Sequence, residues 1–206
     1  MLKIWGRSNS INVQKVLWCC AETGAKFERV DAGMQFGVNN TPEYKAMNPN
    51  GLVPMIDDGG FVLWESHAIV RYLARKHGLD TLCPTDPVMA ADADRWMEWY
   101  STTLWNHMKP IFWNLVRTPP EKRNMADVED NRQKLAGYLM MADQQLAKTL
   151  WLAGAQFTMG DIPLAVLCHR WYSLDITRPA MPNLERWFKA ASARPGFQQY
   201  CAGALT

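Results

Sequence analysis

The chain has 206 residues, 48% of them hydrophobic and 20% charged, a composition that suits a folded protein and excludes a disordered one. Lys and Arg number 22 against 20 Asp and Glu, for a net charge of +2, and neither half carries a block of like charge. Neither nucleic acid nor a membrane surface is therefore implied as a partner. No run of about 18 apolar residues occurs, so no membrane-spanning helix is expected. Met1-Leu2-Lys3-Ile4-Trp5-Gly6 lacks the apolar core of a secretory leader, and a soluble cytoplasmic protein is expected. The length fits two small domains.

In chain order, residues 2–5 alternate and stop at Gly6, which reads as a strand. Val13, Val16, Leu17 and Cys20 then recur at helical spacing up to Gly24, a C-terminal stop signal. Phe27-Glu28-Arg29-Val30 reads as a second strand, and a helix joining two strands argues for parallel pairing. Residues 33–50 are rich in Gly, Asn and Pro, with one helical turn expected near Pro42-Glu43-Tyr44. Val53-Pro54-Met55-Ile56 and Phe61-Val62-Leu63-Trp64 flank Asp57-Asp58-Gly59-Gly60, a hairpin signature. Residues 65–74 form a helix that Gly78 ends. The order completes one small α/β unit over residues 1–79.

Residues 80–87 contain Pro84 and Pro87 and no periodicity, which suits a linker. From 88 to 206 no strand pattern returns. Met97, Tyr100, Leu104, Met108, Ile111 and Leu115 form a helical stripe, with a bend expected at Pro110. A second long helix spans about 120–148. A third begins at Thr158-Met159-Gly160-Asp161, where Thr158 and Asp161 are spaced as a reciprocal cap. Shorter helices near 183–192 and 195–200 follow. Trp96, Trp99, Trp151, Trp171 and Trp187 are assigned to the core, and His107 to a hydrogen-bonded structural role.

Cys19, Cys20, Cys83, Cys168 and Cys201 are odd in number, with neither framework spacing nor a C-x-x-C pair. Free thiols in a reducing compartment are expected. His67, His77, His107 and His169 have no ligand spacing, and no metal site is expected.

Asn48-Pro49-Asn50-Gly51-Leu52-Val53-Pro54, followed by Trp64-Glu65-Ser66-His67-Ala68-Ile69 and by the Thr158-to-Asp161 cap, resembles the cytosolic glutathione transferase superfamily, in its bacterial theta- and nu-like members. The resemblance covers essentially the whole chain. It implies a thioredoxin-like α/β domain over residues 1–79 and an all-α helical bundle over 88–206. It further implies a homodimer that conjugates glutathione, as co-substrate and without a cofactor, to small hydrophobic electrophiles in detoxification.

The resemblance also assigns residues. The bond before Pro54 is expected to be cis, with Val53 turning its main chain to the cysteinyl unit of glutathione as an added strand. Glu65 and Ser66, at a helix start where free amides favour an anion, match the pair that holds the γ-glutamyl ammonium and carboxylate. Ser10 falls where theta-like members keep a catalytic serine, and Asn12 where nu-class members use asparagine; either can stabilise the thiolate by a hydrogen bond. Many relatives place lysine two residues before the proline to pair with the glycine carboxylate. Here that residue is Leu52, and Asn39 matches a glutamine or histidine serving the same group. A neutral amide is a weaker partner than a cation, by about 1–3 kcal/mol.

Trp105, Phe112 and Trp113 lie off the apolar stripe and are candidates for the wall of the electrophile pocket, the other reading being interhelical core or dimer contact. A glutathione-dependent disulfide reductase or peroxidase acting at the same site, suggested by Asn12, and a non-catalytic binding or assembly member, suggested by Leu52, are the other readings.

Overall fold

The computed structural model describes all 206 residues. In chain order the elements are β1 (Leu2–Trp5), α1 (Ile11–Thr23), β2 (Phe27–Val30), α2 (Pro42–Met47), β3 (Met55–Asp58), β4 (Phe61–Trp64) and α3 (Ser66–His77). Then come α4 (Pro87–Trp99), α5 (Trp105–Phe112), α6 (Met125–Leu146), α7 (Asp161–Ser173), α8 (Pro182–Ser192) and α9 (Pro195–Tyr200). No helix is long and apolar enough to cross a membrane.

The chain divides into two compact units, Met1–Cys83 with Pro195–Gly203, and Pro84–Arg194 with Ala204–Thr206. In the first, four strands lie in the order β2-β1-β3-β4. β1 runs parallel to β2 and antiparallel to β3, and β3–β4 is the expected hairpin. α1 buries Ile11 and every position from Val13 to Cys20, so it is covered on all sides rather than along one stripe. Its neighbours include α3 and α9.

The last helix departs from the sequence expectation, which grouped 195–200 with the helical domain. Phe197 meets Trp18 edge to face, with ring centroids 5.1 Å apart. Gly196 lets the backbone close in: a Cβ there would stand 2.7 Å from Trp18 Cδ1 and 2.8 Å from Ala21 Cβ. The first unit also reaches past residue 79. Leu82 and Cys83 are buried, and Leu79 bridges Cys83.

The second unit is all helical, as expected, with its core around α7, where ten of thirteen residues are buried. The helical run from Pro87 to Arg117 departs from α geometry at two wide π-type turns, Tyr100–Leu104 and Trp113–Arg117. These fall on either side of Pro110, which sits inside α5.

The Thr158 cap forms as expected. Asp161 Oδ2 accepts from Thr158 N at 2.9 Å, and Asp161 Oδ1 also accepts from Leu152 N and Trp187 Nε1 at 3.0 and 2.8 Å. His107 is structural, as expected: Nδ1 bonds Asn131 Oδ1 at 2.9 Å and the ring stacks on Tyr138. Trp171 and Trp187 are core, whereas Trp96, Trp99 and Trp151 keep exposed faces. Trp96 and Trp99 lie beside the buried Ala93 and Met97 positions of α4, not on them.

Candidate functional site

The sheet register builds the site. Trp5 pairs with Met55, and Met55 with Trp64. The loop leaving β1, the Val53-Pro54 segment entering β3 and the Glu65-Ser66 step leaving β4 therefore emerge at one edge. These three segments meet there.

In the first loop, Gly6 N and Arg7 N extend the ladder to Val30 O and Ala32 O, and a turn from Ser10 N to Arg7 O brings Ser10 to the start of α1. A Cβ on Gly6 would stand 2.3 Å from Val13 Cγ2, so the loop lies hard against the helix. Ser10 is the N-cap residue by position, yet its hydroxyl makes no cap hydrogen bond. A plain capping role is thereby removed, and the donor stays available. Asn12 sits half-buried in the first turn, and that turn carries no acidic residue to offset the helix's positive end. Ser8 is exposed.

The Val53–Pro54 bond is cis, as expected. The N–H and C=O of Val53 make no hydrogen bond to other backbone. The neighbouring carbonyl is tied back: Leu52 O accepts from Tyr44 Oη at 2.6 Å and from Asn48 Nδ2 at 2.9 Å. Burial pushes the Tyr44 hydroxyl up to about 12, so it remains a donor throughout the neutral range. These two ties hold a short stretch of unpaired main chain at the site's edge, the feature an extended peptide needs.

Asn39 Nδ2 donates to Gly51 O at 2.7 Å, while its Oδ1 is enclosed without a partner. Asn39 thus braces the loop that carries Leu52, whose side chain is 64% exposed.

Glu65 has φ 72° and ψ 114°, a conformation that costs a non-glycine residue of order 1–3 kcal/mol. Its side chain is exposed and caps nothing. Ser66, 5% exposed, opens α3, whose first-turn amides lack backbone partners. Strain is retained where a carboxylate, a hydroxyl and a helix N-terminus converge.

Sequence reasoning missed several supports. Lys15 Nζ, on a side chain 1% exposed, donates to His67 Nε2 at 2.9 Å and ties α1 to the start of α3. The Tyr44 and Asn48 ties to Leu52 were also missed, although Asn48 lay inside the motif. Cys19 and Cys20 are buried, and desolvation raises the Cys19 thiol and pushes Cys20 up to about 12; both are inert packing groups, as the sequence indicated.

In the second unit, Trp105 stacks on Tyr100, with centroids 6.2 Å apart. Trp113 is 49% exposed, and Phe112 only 8%. The guanidinium groups of Arg117 and Arg170 lie 5.8 and 5.3 Å from the Phe112 ring.

Comparison with known proteins agrees with the fold. The family model for the glutathione S-transferase N-terminal domain matches residues 1–75, and that for the C-terminal domain residues 104–195. Glutathione S-transferase GstB of Escherichia coli (strain K12) is 39% identical over 201 residues, covering 97% of each chain. Glutathione S-transferase 3 of Zea mays is 34% identical over 213 residues, 98% of this chain and 93% of its own. Among solved structures, the theta class glutathione S-transferase of Xanthomonas axonopodis pv. citri with glutathione bound superposes with a TM-score of 0.96 at 42% identity, covering 100% of this chain and 99% of that one. An α/β unit with a cis proline beside unpaired main chain, an all-helical second unit and end-to-end similarity to these proteins lead to one conclusion: the chain belongs to the glutathione S-transferase family.

Proposed function

We propose that this glutathione transferase binds glutathione along the Val53 main chain and holds its sulfur as thiolate for attack on a hydrophobic electrophile. The observation that carries the reading is the unpaired Val53 N–H and C=O beside Pro54, at the same sheet edge as Ser10 and Ser66. The cysteinyl unit pairs with Val53. The γ-glutamyl carboxylate takes the Ser66 hydroxyl and the first amides of α3, and the Glu65 carboxylate takes the ammonium. Asn39 serves the glycine end as a neutral donor.

A thiol of this kind ionises near 8.5, so only a few per cent is thiolate at neutral pH. A hydrogen bond from the Ser10 hydroxyl or the Asn12 amide, with the positive end of α1 behind it, stabilises the anion without accepting a proton. The thiolate then forms the carbon–sulfur bond as the leaving group departs with the electron pair. Positioning and thiolate stabilisation supply the catalysis. Trp105 and Trp113, with Phe112 packed behind, supply the apolar wall for the electrophile.

The protein works in the cytoplasm as a homodimer. Phe61, Leu79, Val88 and Met89, exposed by 49%, 56%, 75% and 42%, are apolar surface that a second copy can cover. Size-exclusion chromatography at several concentrations tests the dimer.

The test of the activity is turnover of an aryl halide at saturating glutathione, compared with a hydroperoxide and a small disulfide. Loss of a charge-assisted hydrogen bond costs about 1.5–3 kcal/mol, so Ser10→Ala should lower kcat roughly 10- to 100-fold below pH 7 with little change in glutathione affinity. Unchanged turnover in Ser10→Ala together with loss in Asn12→Ala moves the role to Asn12. Unchanged turnover in both overturns the thiolate account.

A further inference from the structure

Lys15 carries an ammonium group in the interior that the catalytic reading leaves without a task. Its side chain is 1% exposed, although a lysine is seldom buried without a partner that fixes it. Nζ donates to His67 Nε2 at 2.9 Å, and His67 is itself 7% exposed. An ammonium only donates, so Nε2 accepts, the ring proton sits on Nδ1 and His67 is neutral. The charge of the pair therefore resides on Lys15.

The place of that charge is specific. Lys15 lies on α1 one turn past Asn12, and long side chains on a helix lean toward its N-terminus. His67 is the second residue of α3, directly after Ser66. The bond joins residues 52 positions apart, near the starts of the two helices whose N-terminal ends form the site. The first turns of α1 and α3 contain no acidic residue, so both ends present positive potential. α9, also packed on α1, reads Pro195-Gly196-Phe197-Gln198-Gln199-Tyr200 and brings no charge. Burial leaves the field of Lys15 little screened by salt. Ser66, the carboxylate ligand named above, is one residue from the ring that Lys15 holds.

We propose that Lys15, held by His67, is a positioning residue for glutathione: it locks Ser66 and the first amides of α3 against α1 and sets a fixed positive charge behind the γ-glutamyl carboxylate. The inference rests on the glutathione-binding reading and adds to it a residue that favours one group of the tripeptide. Removing the charge weakens ligands that carry the carboxylate and spares a ligand that carries only the ammonium. A lysine that merely cements two helices would support every part of the ligand alike.

The test is calorimetric titration of the whole protein with glutathione and two analogues. Glutaryl-cysteinylglycine keeps the carboxylate and lacks the ammonium; 4-aminobutyryl-cysteinylglycine keeps the ammonium and lacks the carboxylate. Lys15→Met, apolar and of similar length, should weaken glutathione and the glutaryl analogue about tenfold and change the aminobutyryl analogue less than about twofold. Lys15→Met combined with His67→Leu leaves neither polar partner unmatched in the interior, so it should fold and give the same pattern. Thermal melts establish which variants are folded at the titration temperature. Equal weakening of all three ligands in a folded variant, unchanged affinity for all three, or loss of folding in both variants overturns the proposal. A native protein that binds none of the three overturns the glutathione reading, and this inference with it.

Discussion

Asp161 gives a stability test whose size and sign follow from the structure. The residue is fully buried and receives hydrogen bonds from Leu152 N, Thr158 N and Trp187 Nε1, with Thr158 Oγ1 at 3.3 Å. Asp161→Ala orphans three buried donors at about 1–3 kcal/mol each. Removal of a buried charge offsets part of that loss. A net cost of about 4 kcal/mol is expected, which lowers Tm by roughly 10 °C in a chain of this length. Asp161→Asn keeps an acceptor for Leu152 and Trp187 but turns an amide toward Thr158 N, and should cost about 2 kcal/mol.

The pH dependence separates burial from hydrogen bonding. Burial pushes the Asp161 carboxyl up to about 6, against the downward pull of its hydrogen bonds. A carboxyl raised above its unfolded value adds stability that is complete below about pH 4 and is lost as pH rises through about 6, on the order of 3 kcal/mol. Asp161→Asn has no such slope. Urea unfolding at pH 4.5, 6 and 7.5, or roughly those values, should therefore show the gap between the two proteins narrowing as pH rises. A widening gap would mean that the ionised carboxylate is the favoured buried form, and the reasoning fails.

Two glycines make a paired test. A Cβ on Gly160 would stand 2.6 Å from Ala93 O, whereas one on Gly137, within α6, meets nothing within 4 Å. Gly160→Ala should destabilise by about 1–3 kcal/mol, and Gly137→Ala should stabilise by up to about 1 kcal/mol, both read by thermal melts. Glu65→Gly relieves the positive φ and should raise stability by about 1 kcal/mol while weakening glutathione binding, measured by calorimetry. Ser66→Ala should raise the KM for glutathione several-fold with kcat nearly unchanged, because it removes binding shared by ground and transition states; a fall in kcat alone contradicts the assignment.

The strands, the hairpin and the all-helical second half were legible because local patterns decide them. Period-2 alternation at residues 2–5 and turn chemistry at Asp57-Asp58-Gly59-Gly60 act over a few residues, and the structure follows them. The cis Pro54 and the Thr158–Asp161 cap were legible because each lies in a compact motif. The placement of α9 was not, since the Phe197–Trp18 contact joins residues far apart in sequence and leaves no periodic trace. The same holds for the buried Lys15–His67 pair, where residue type alone points to solvent. Trp96 and Trp99 read as core because large aromatics usually are; what exposes them is the unclosed edge between α4 and α6, a property of helix packing.

The central claim is that the site ionises a thiol. Glutathione bound at saturation should be titrated by the ultraviolet absorbance of its thiolate, in the native protein and in Ser10→Ala and Asn12→Ala. The account predicts a midpoint about 1–2 pH units below the free thiol in the native protein, and a return toward the free value in the variant that loses the donor. A bound thiol that titrates like free glutathione in the native protein contradicts it.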